Sequence, residues 1–184
     1  MSTIYTGQLL IAEPFLKDPS FERSVVLICR HDDVDGTFGF TINKFIDVTV
    51  DEVIDDMNGW PLPLFLGGPV EHQKLHFIHQ YPDLIPDAVK VADGIYWGGD
   101  FEILKSLIFN GTITSEKIKF FLGYSGWDAQ QLQDEIAEGA WFTTAATTAL
   151  IFNTPAPQVW ASSLQSMGGK YAMMVHLPTD PQLN

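Results

Sequence analysis

Cysteine is almost absent from this chain: one residue, Cys29, in 184. A lone cysteine cannot close an internal disulfide, so the apolar core has to hold the fold, and the usage fits a reducing compartment. Cys29 lies inside the apolar run Val25 to Cys29, where a small buried hydrophobe is expected rather than a reactive thiol, which needs exposure and nearby positive charge. Basic residues are scarce as well. Ten Lys and Arg stand against 23 Asp and Glu, a formal charge of −13, and a field of that sign repels phosphate backbones unless a basic patch gathers locally. The sequence holds no such patch, and Lys117 and Lys119 come nearest to a pair on one strand face. Direct nucleic-acid binding is therefore disfavoured. No apolar run approaches the roughly 20 residues needed to cross a bilayer. The opening MSTIYTGQLL has neither the basic region nor the apolar core of a secretory signal. A cytoplasmic chain with no membrane partner is expected.

What is present is a globular composition. The apolar fraction is 46%, with 13 Phe and 5 Trp, and the length suits one domain spanning 1–184, able to bury roughly two thirds of its unfolded surface. No repeat, low-complexity stretch or long linker divides it.

The segment Gly7 to Asn43 organises the rest. Leu9 to Ala12 is an apolar entry. Two acid-proline steps follow, Glu13-Pro14 and Asp18-Pro19, and then a hairpin of Ser24 to Cys29 with Thr37 to Asn43. Its turn, Arg30 to Gly36, carries three aspartates and a glycine. Thr49-x-x-Glu52 is a capping-box pattern that predicts an amphipathic helix over 49–58, closed by Gly59. Leu64 to Leu66 leads into Gly67-Gly68-Pro69-Val70, where the backbone must turn or approach something closely.

Further on, Lys74 to Gln80 alternates as a strand with Leu75, Phe77 and His79 on one face and His76 and Ile78 on the other. Asp93-Gly94 supplies the turn of a tight hairpin over Val89 to Trp97. Asp100 caps a helix with Phe101, Leu104, Leu107 and Ile108 inward and Gly111 past its end. Ile118, Phe120, Leu122 and Tyr124 alternate as a strand. A helix is predicted from Asp128, its carboxylate accepting from the Gln131 amide and Trp127 stapled to Leu132, ending at Gly139. Trp141 and Phe142 are expected to be buried, Pro155 and Pro157 to mark a loop, and a helix through Trp160 and Leu164 to stop at Gly168-Gly169. Tyr171 to His176 reads as a closing strand. Interspersed helices and hairpin-length turns together argue for an α+β domain with a mixed sheet.

Several motifs in order carry a resemblance: Gly7-x-Leu9-Leu10-Ile11-Ala12-x-Pro14, Asp18-Pro19-x-Phe21-x-Arg23-Ser24-Val25, His31 with Gly36 and Gly39, Asn43, Gly67-Gly68-Pro69-Val70, Gly123-Tyr124-Ser125-Gly126-Trp127 with Gln131-Leu132 and Glu135-Ile136, and Trp141. The chain resembles the AlgH-like family of uncharacterised bacterial proteins over nearly its whole length. The resemblance implies a single α+β domain whose branched β-sheet is partly closed into a small barrel and surrounded by helices. The family's name comes from a proposed role in regulating transcription, which does not itself imply contact with DNA. Asp128-Ala129 departs from the usual glycine-rich link after Trp127, so a different helix entrance is expected.

Four constellations bear on chemistry. Ser125, between a strand and a helix, sits where a nucleophile elbow would present a serine, but Trp127 replaces the last glycine of that motif, and His176 with Asp180 follows in the wrong order for a triad. His72, His76 and His79 with Glu71 are the candidate metal ligands, yet His76 and His79 point to opposite faces of an extended strand, so no metal site is predicted. Arg23, His31 and Asn43 bracket the first hairpin. Arg23 could hold an anion or a partner carboxylate near the Gly67 and Gly68 amides; the ordinary alternative pairs Arg23 with Asp18 or Glu22 and uses Asn43 to close a turn. Gly67-Gly68-Pro69 lacks the spacing of a nucleotide fingerprint, and no cofactor is expected.

The function expected on these grounds is non-enzymatic binding of a protein partner or small ligand, with an indirect regulatory role, through Arg23, His31, Asn43, Gly67, Gly68 and Ser125. A small hydrolase using Ser125 or the Arg23, His31 and Asn43 group is the alternative, and a direct DNA-binding regulator the third.

Overall fold

The computed structural model describes residues 3–57 and 59–179. Ten strands run in chain order: β1 (Gln8–Ala12), β2 (Val25–Asp32), β3 (Gly36–Thr41), β4 (Phe45–Thr49), β5 (Pro63–Leu66), β6 (Val70–His79), β7 (Val89–Ala92), β8 (Ile95–Trp97), β9 (Ile118–Trp127) and β10 (Trp141–Ala145). The helices are α1 (Val50–Val53), α2 (Phe101–Phe109), α3 (Gln131–Ala137), α4 (Ala156–Met167) and α5 (Gly169–Met174). The strand path is β10-β1-β2-β3-β9-β6-β8-β7, with β5 on β9 and β4 on β5. Among the described residues only the β5–β9 contact is parallel.

The branch lies on β9. Its first half pairs with β5 through Phe120, Phe121 and Leu122, and its last residues pair with β3 through Ser125, Gly126 and Trp127. Because the same strand edge changes partner, the sheet splits and curls into a partly closed small barrel, the α+β architecture expected. The junction is tight at Gly67, where a Cβ would meet the Gly123 carbonyl oxygen at 2.3 Å and the Phe40 ring at 3.0 Å.

Three apolar clusters follow from the alternation of the strands. The largest joins Leu9, Leu27, Phe40, Ile78 and Phe121 to Val159, Trp160 and Leu164 of α4. The second packs Leu104 and Ile108 of α2 on Phe77, Ile118 and Phe120, and the third sets Leu132 of α3 among Leu10, Val26, Ile28, Trp127 and Trp141. Each fully buried large side chain stabilises by about 1.5–3 kcal/mol. Cys29 is buried and its thiol is pushed far up by that burial, an inert core residue.

Several local expectations match the structure. Asp100 caps α2, accepting from the Ile103 amide at 3.0 Å, the Asp93-Gly94 turn joins β7 to β8, and α4 stops at Gly168. Others need correction. The helix predicted over 49–58 is a single α-turn, α1, followed by a 3₁₀ turn over Asp55–Met57, although Glu52 does accept from the Thr49 amide at 2.7 Å. The carboxylate of Asp128 does not cap α3; the Gln131 side chain instead accepts from the Asp128 amide at 3.3 Å, and the helix starts at Gln131. Pro155 and Pro157 start α4 rather than a loop, since the first turn needs no amide there. Tyr171 to His176 is not a strand. Helix α5 forms because Tyr171, Met174 and Val175 share helical spacing and lie together on the largest cluster, with Tyr171 meeting Phe142 at 5.0 Å.

Candidate functional site

The register Thr37↔Trp127, Phe38↔Gly126 and Gly39↔Ser125 locks β3 onto β9. Residues directly opposite share a face, so Arg30, its partner Phe38 and Gly126 form one row across β2, β3 and β9. Over this row runs a groove of about 330 Å³, lined by Arg30, Thr37, Phe38, Val70, Tyr124, Gly126 and Gln131, with Asp35 and Asp128 among its walls. Arg30, Asp35, Asp128 and Gln131 are exposed, which gives the groove charges of both signs and an amide. Gly126 keeps the floor open, because a Cβ there would lie 3.2 Å from the Tyr124 ring.

The inner wall is aromatic. Phe38 has Trp97 and Tyr124 each at 4.9 Å between ring centroids and His76 at 5.9 Å. These four side chains are half-buried; Phe38 and Tyr124 face the groove, and Trp97 and His76 pack on Phe38 beside it. The Nε2 of His76 is buried with no hydrogen-bond partner, and burial first, then the Lys74 charge, lowers its pKa from 6.5. A neutral imidazole in an aromatic setting is the result.

The residues singled out from sequence separate into two groups. Arg23 and Asn43 come together: the Asn43 side chain donates to the Arg23 carbonyl at 3.0 Å and accepts from the Val25 amide at 2.9 Å. Among the described residues no ion pair joins Arg23 to Asp18 or Glu22. Its guanidinium donates to the Leu177 carbonyl at 2.7 Å and lies 4.7 Å over the Trp160 ring. Arg23 thus ties the C-terminal segment to the first hairpin. His31 stands at the far end of β2, about 20 Å away at the usual strand rise, with Nδ1 2.8 Å from the Thr37 hydroxyl and Nε2 3.3 Å from Asp33. It reaches the groove only by holding Thr37.

Ser125 is fully buried within β9, not on a strand-to-helix turn. Its hydroxyl donates to the Gly67 carbonyl at 3.0 Å and lies 3.3 Å from the Thr41 hydroxyl. The Gly67 amide donates to the Leu122 carbonyl at 2.9 Å, so it belongs to the sheet and forms no anion cradle beside Arg23. Gly68 is pressed on the Tyr124 carbonyl, where a Cβ would come within 2.2 Å. His176 is exposed just after α5, and Asp180 lies outside the described residues.

His79 is a satisfied core histidine. Its Nε2 donates to the Gly98 carbonyl at 2.9 Å, which leaves Nδ1 to accept from the Tyr81 amide at 3.0 Å, and burial lowers its pKa from 6.5. His76 turns instead to Phe38 and Phe40, while His72 is exposed. Among the described residues no three of His, Cys, Asp and Glu converge as a metal set.

One constellation was not foreseen. Glu135 Oε2 accepts from the indole N–H of Trp127 at 2.9 Å and of Trp141 at 2.7 Å, while Oε1 accepts from the Gln131 side chain at 2.9 Å. Phe21 stacks on Trp127 at 5.8 Å and meets Trp141 edge-on at 5.3 Å. The clamp fixes α3 behind the groove and so places Gln131 on its rim. The available signal was a carboxylate between Leu132 and Ile136, on the inward side of an amphipathic helix.

Comparison with known proteins places these motifs. The sequence model described as AlgH-like matches residues 9–172. The chain belongs to the AlgH-like family. It is 42% identical to a UPF0301 protein of Cytophaga hutchinsonii over 97% of this chain and 98% of that one, and 43% identical to a UPF0301 protein of Parabacteroides distasonis over 97% and 90%. Its fold is similar to that of a Corynebacterium diphtheriae protein, with TM-score 0.78, 25% identity, and 96% and 94% of the two chains covered. The solution structure of the AlgH protein from Pseudomonas aeruginosa is similar too, with TM-score 0.73, 23% identity and 97% coverage of both chains. In this AlgH-like chain the Gly123–Trp127 motif builds the branch of the sheet and the groove floor, and Glu135 with Trp141 braces them from behind.

Proposed function

We propose that this AlgH-like chain is a non-enzymatic, cytoplasmic binding protein with an indirect regulatory role, and that a segment of a partner protein seats in the groove over β3 and β9. The observation that carries the reading is the groove itself: an aromatic wall of Phe38 and Tyr124, 4.9 Å apart, beneath a rim with both charge signs, Arg30 against Asp35 and Asp128. An aromatic floor with mixed charges at its edge suits a polypeptide, which offers apolar anchors and both kinds of charged side chain. Of the residues expected to bind, His31 contributes through Thr37, and Gly67 and Ser125 by fixing β9 against β3; Arg23 and Asn43 brace the distant end. The hydrolase alternative has no support at Ser125, whose hydroxyl is held within the sheet. A nucleic-acid partner fits poorly with a charge of −13. No helix of the described residues is long and apolar enough to cross a membrane.

The test inverts the rim. Arg30→Glu with Asp128→Lys changes two exposed side chains and leaves the aromatic wall in place. Immobilised native chain and variant are exposed to cell extract, and proteins and small molecules are identified by mass spectrometry. The reading predicts a protein retained by the native chain and lost by a variant with unchanged melting temperature. Retention of the same set by both contradicts it, and loss of a small molecule alone replaces the polypeptide with a low-molecular-weight ligand.

A further inference from the structure

At Gly126 the edge of β9 is free on one side. In an antiparallel ladder the backbone groups of successive residues point alternately to one neighbouring strand and to the other. The Ile42 amide donates to the Val25 carbonyl at 2.9 Å, on the β2 side, and the Thr41 amide to the Gly67 carbonyl at 2.8 Å, on the opposite side. Continued along β3, this alternation gives β2 the backbone groups of Phe38 and gives β9 those of Thr37 and Gly39, whose partners are Trp127 and Ser125. The Trp127 carbonyl oxygen does face β3, where a Cβ on Gly36 would meet it at 2.3 Å. The amide and carbonyl of Gly126, between Ser125 and Trp127, therefore point away from β3. On that side β6 is the neighbour of β9, but it begins at Val70, opposite Tyr124. Two residues more would set Gly68 beside Gly126. Gly68 lies instead against the peptide bond between Tyr124 and Ser125, with a Cβ there 2.2 Å from the Tyr124 carbonyl carbon and 2.3 Å from the Ser125 nitrogen. Gly126 is exposed and lines the groove, and among the described residues no strand lies beside it on that side.

We infer that the partner segment binds in extended form, as a strand added to the free edge of β9 at Gly126. The inference rests on the groove reading above and specifies its occupant: a stretch of polypeptide free to extend, not a preformed helix. A polypeptide backbone carries a donor and an acceptor at each residue, so a strand laid beside Gly126 satisfies its amide and its carbonyl together. A helix can do neither, because its own backbone groups are already bonded to one another. The side chain opposite Gly126 would extend the row formed by Arg30, Phe38 and Gly126. Gly126 has no side chain of its own, so that residue can lie across it toward the Phe38 and Tyr124 rings, which are 4.9 Å apart. Such a place suits an apolar anchor. Residues flanking the anchor meet Arg30, Asp35 and Asp128 on the walls, which match acidic and basic side chains in turn.

Amide exchange is first measured by nuclear magnetic resonance on the full chain alone. The Gly126 amide should exchange at least about a hundredfold faster than those of Ser125 and Trp127, which bond to β3. A phage-displayed library of linear random dodecapeptides is then selected on the native chain and counter-selected on the Arg30→Glu, Asp128→Lys variant. The best binder is synthesised, and its backbone amides are N-methylated one at a time, which removes a donor and leaves every side chain in place. Bound peptide should slow exchange at Gly126 at least about tenfold, and methylation at one internal position should weaken binding at least about tenfold. The two adjacent positions should tolerate methylation, since their amides face away from β9. A peptide that depends on the rim yet leaves Gly126 exchanging as in the free chain overturns strand addition and keeps the groove reading. Absence of any rim-dependent peptide overturns both. Protection of Gly126 in the chain alone, at the level of Trp127, means that the edge is already paired and overturns the inference; where that protection fades on dilution, the occupant is a second copy of the chain.

Discussion

Replacing Glu135 by alanine removes the acceptor shared by two buried indoles. Trp127 and Trp141 are 5% and 3% exposed, and both N–H groups point at the same oxygen, Oε2. A buried donor left without a partner costs about 1–3 kcal/mol, so two cost about 2–5 kcal/mol after some relief from entering water. The bond from the exposed Gln131 to Oε1 adds little. With a urea slope of about 2 kcal/mol/M, the unfolding midpoint should fall by about 1–2.5 M, followed by far-ultraviolet circular dichroism. Glu135→Gln keeps an acceptor oxygen where Oε2 stood and should lose less than about 1 kcal/mol, mainly the charge-assisted part of the bonds. A cycle with Trp141→Phe sharpens the test: once that indole N–H is gone, removing Glu135 strands one donor instead of two, and the cost should drop by about 1 kcal/mol or more. A loss below about 0.5 kcal/mol for Glu135→Ala, or equal losses for alanine and glutamine, would refute the clamp as a stabilising element.

Three further outcomes are expected. Gly67→Ala drives a Cβ to 2.3 Å from the Gly123 carbonyl oxygen, so it should cost more than about 3 kcal/mol or abolish soluble expression; a near-native melting temperature would show that the branch can relax. Arg23→Ala frees the Leu177 carbonyl and the Trp160 face, and amide exchange of residues 169–177 should quicken while the β-sheet keeps its protection. Acidification should weaken the fold through His79 and His76, whose folded pKa values lie below 6.5, in each case chiefly because burial disfavours the charged ring. Below about pH 6.5 the unfolded chain binds more protons, so stability is complete above that pH and falls as pH drops through it, by at most about 1.4 kcal/mol per pH unit for each ring. His79→Gln should flatten that slope in urea titrations at pH 5–7.5; an unchanged slope would remove His79 from the account.

Much of the fold is written in local chemistry. The Asp93-Gly94 turn, the Asp100 cap and the double glycine after α4 each act within a few residues, and each stands where the sequence puts it. Tyr171 to His176 misled because six residues can satisfy alternation and helical spacing together, and only the position of Phe142 decides between them. The site was harder to read. Arg23 and His31 are eight positions apart, but a strand between them holds them at opposite ends of the hairpin. Ser125 looked exposed because its neighbours are those of a turn, whereas β9 continues through it to reach β3. The Glu135 clamp and the change of partner along β9 bring together residues remote in sequence, which no local window contains.

The groove is tested most directly by placing a photoreactive phenylalanine analogue at position 131, on its rim, or at position 89, an exposed residue of β7 that does not line the groove, and irradiating living cells. A partner bound over β3 and β9 predicts a discrete protein adduct from position 131, absent from position 89 and lost when Arg30→Glu and Asp128→Lys are added. Adducts of equal yield from both positions, or an adduct at 131 that survives inversion of the rim, would contradict it.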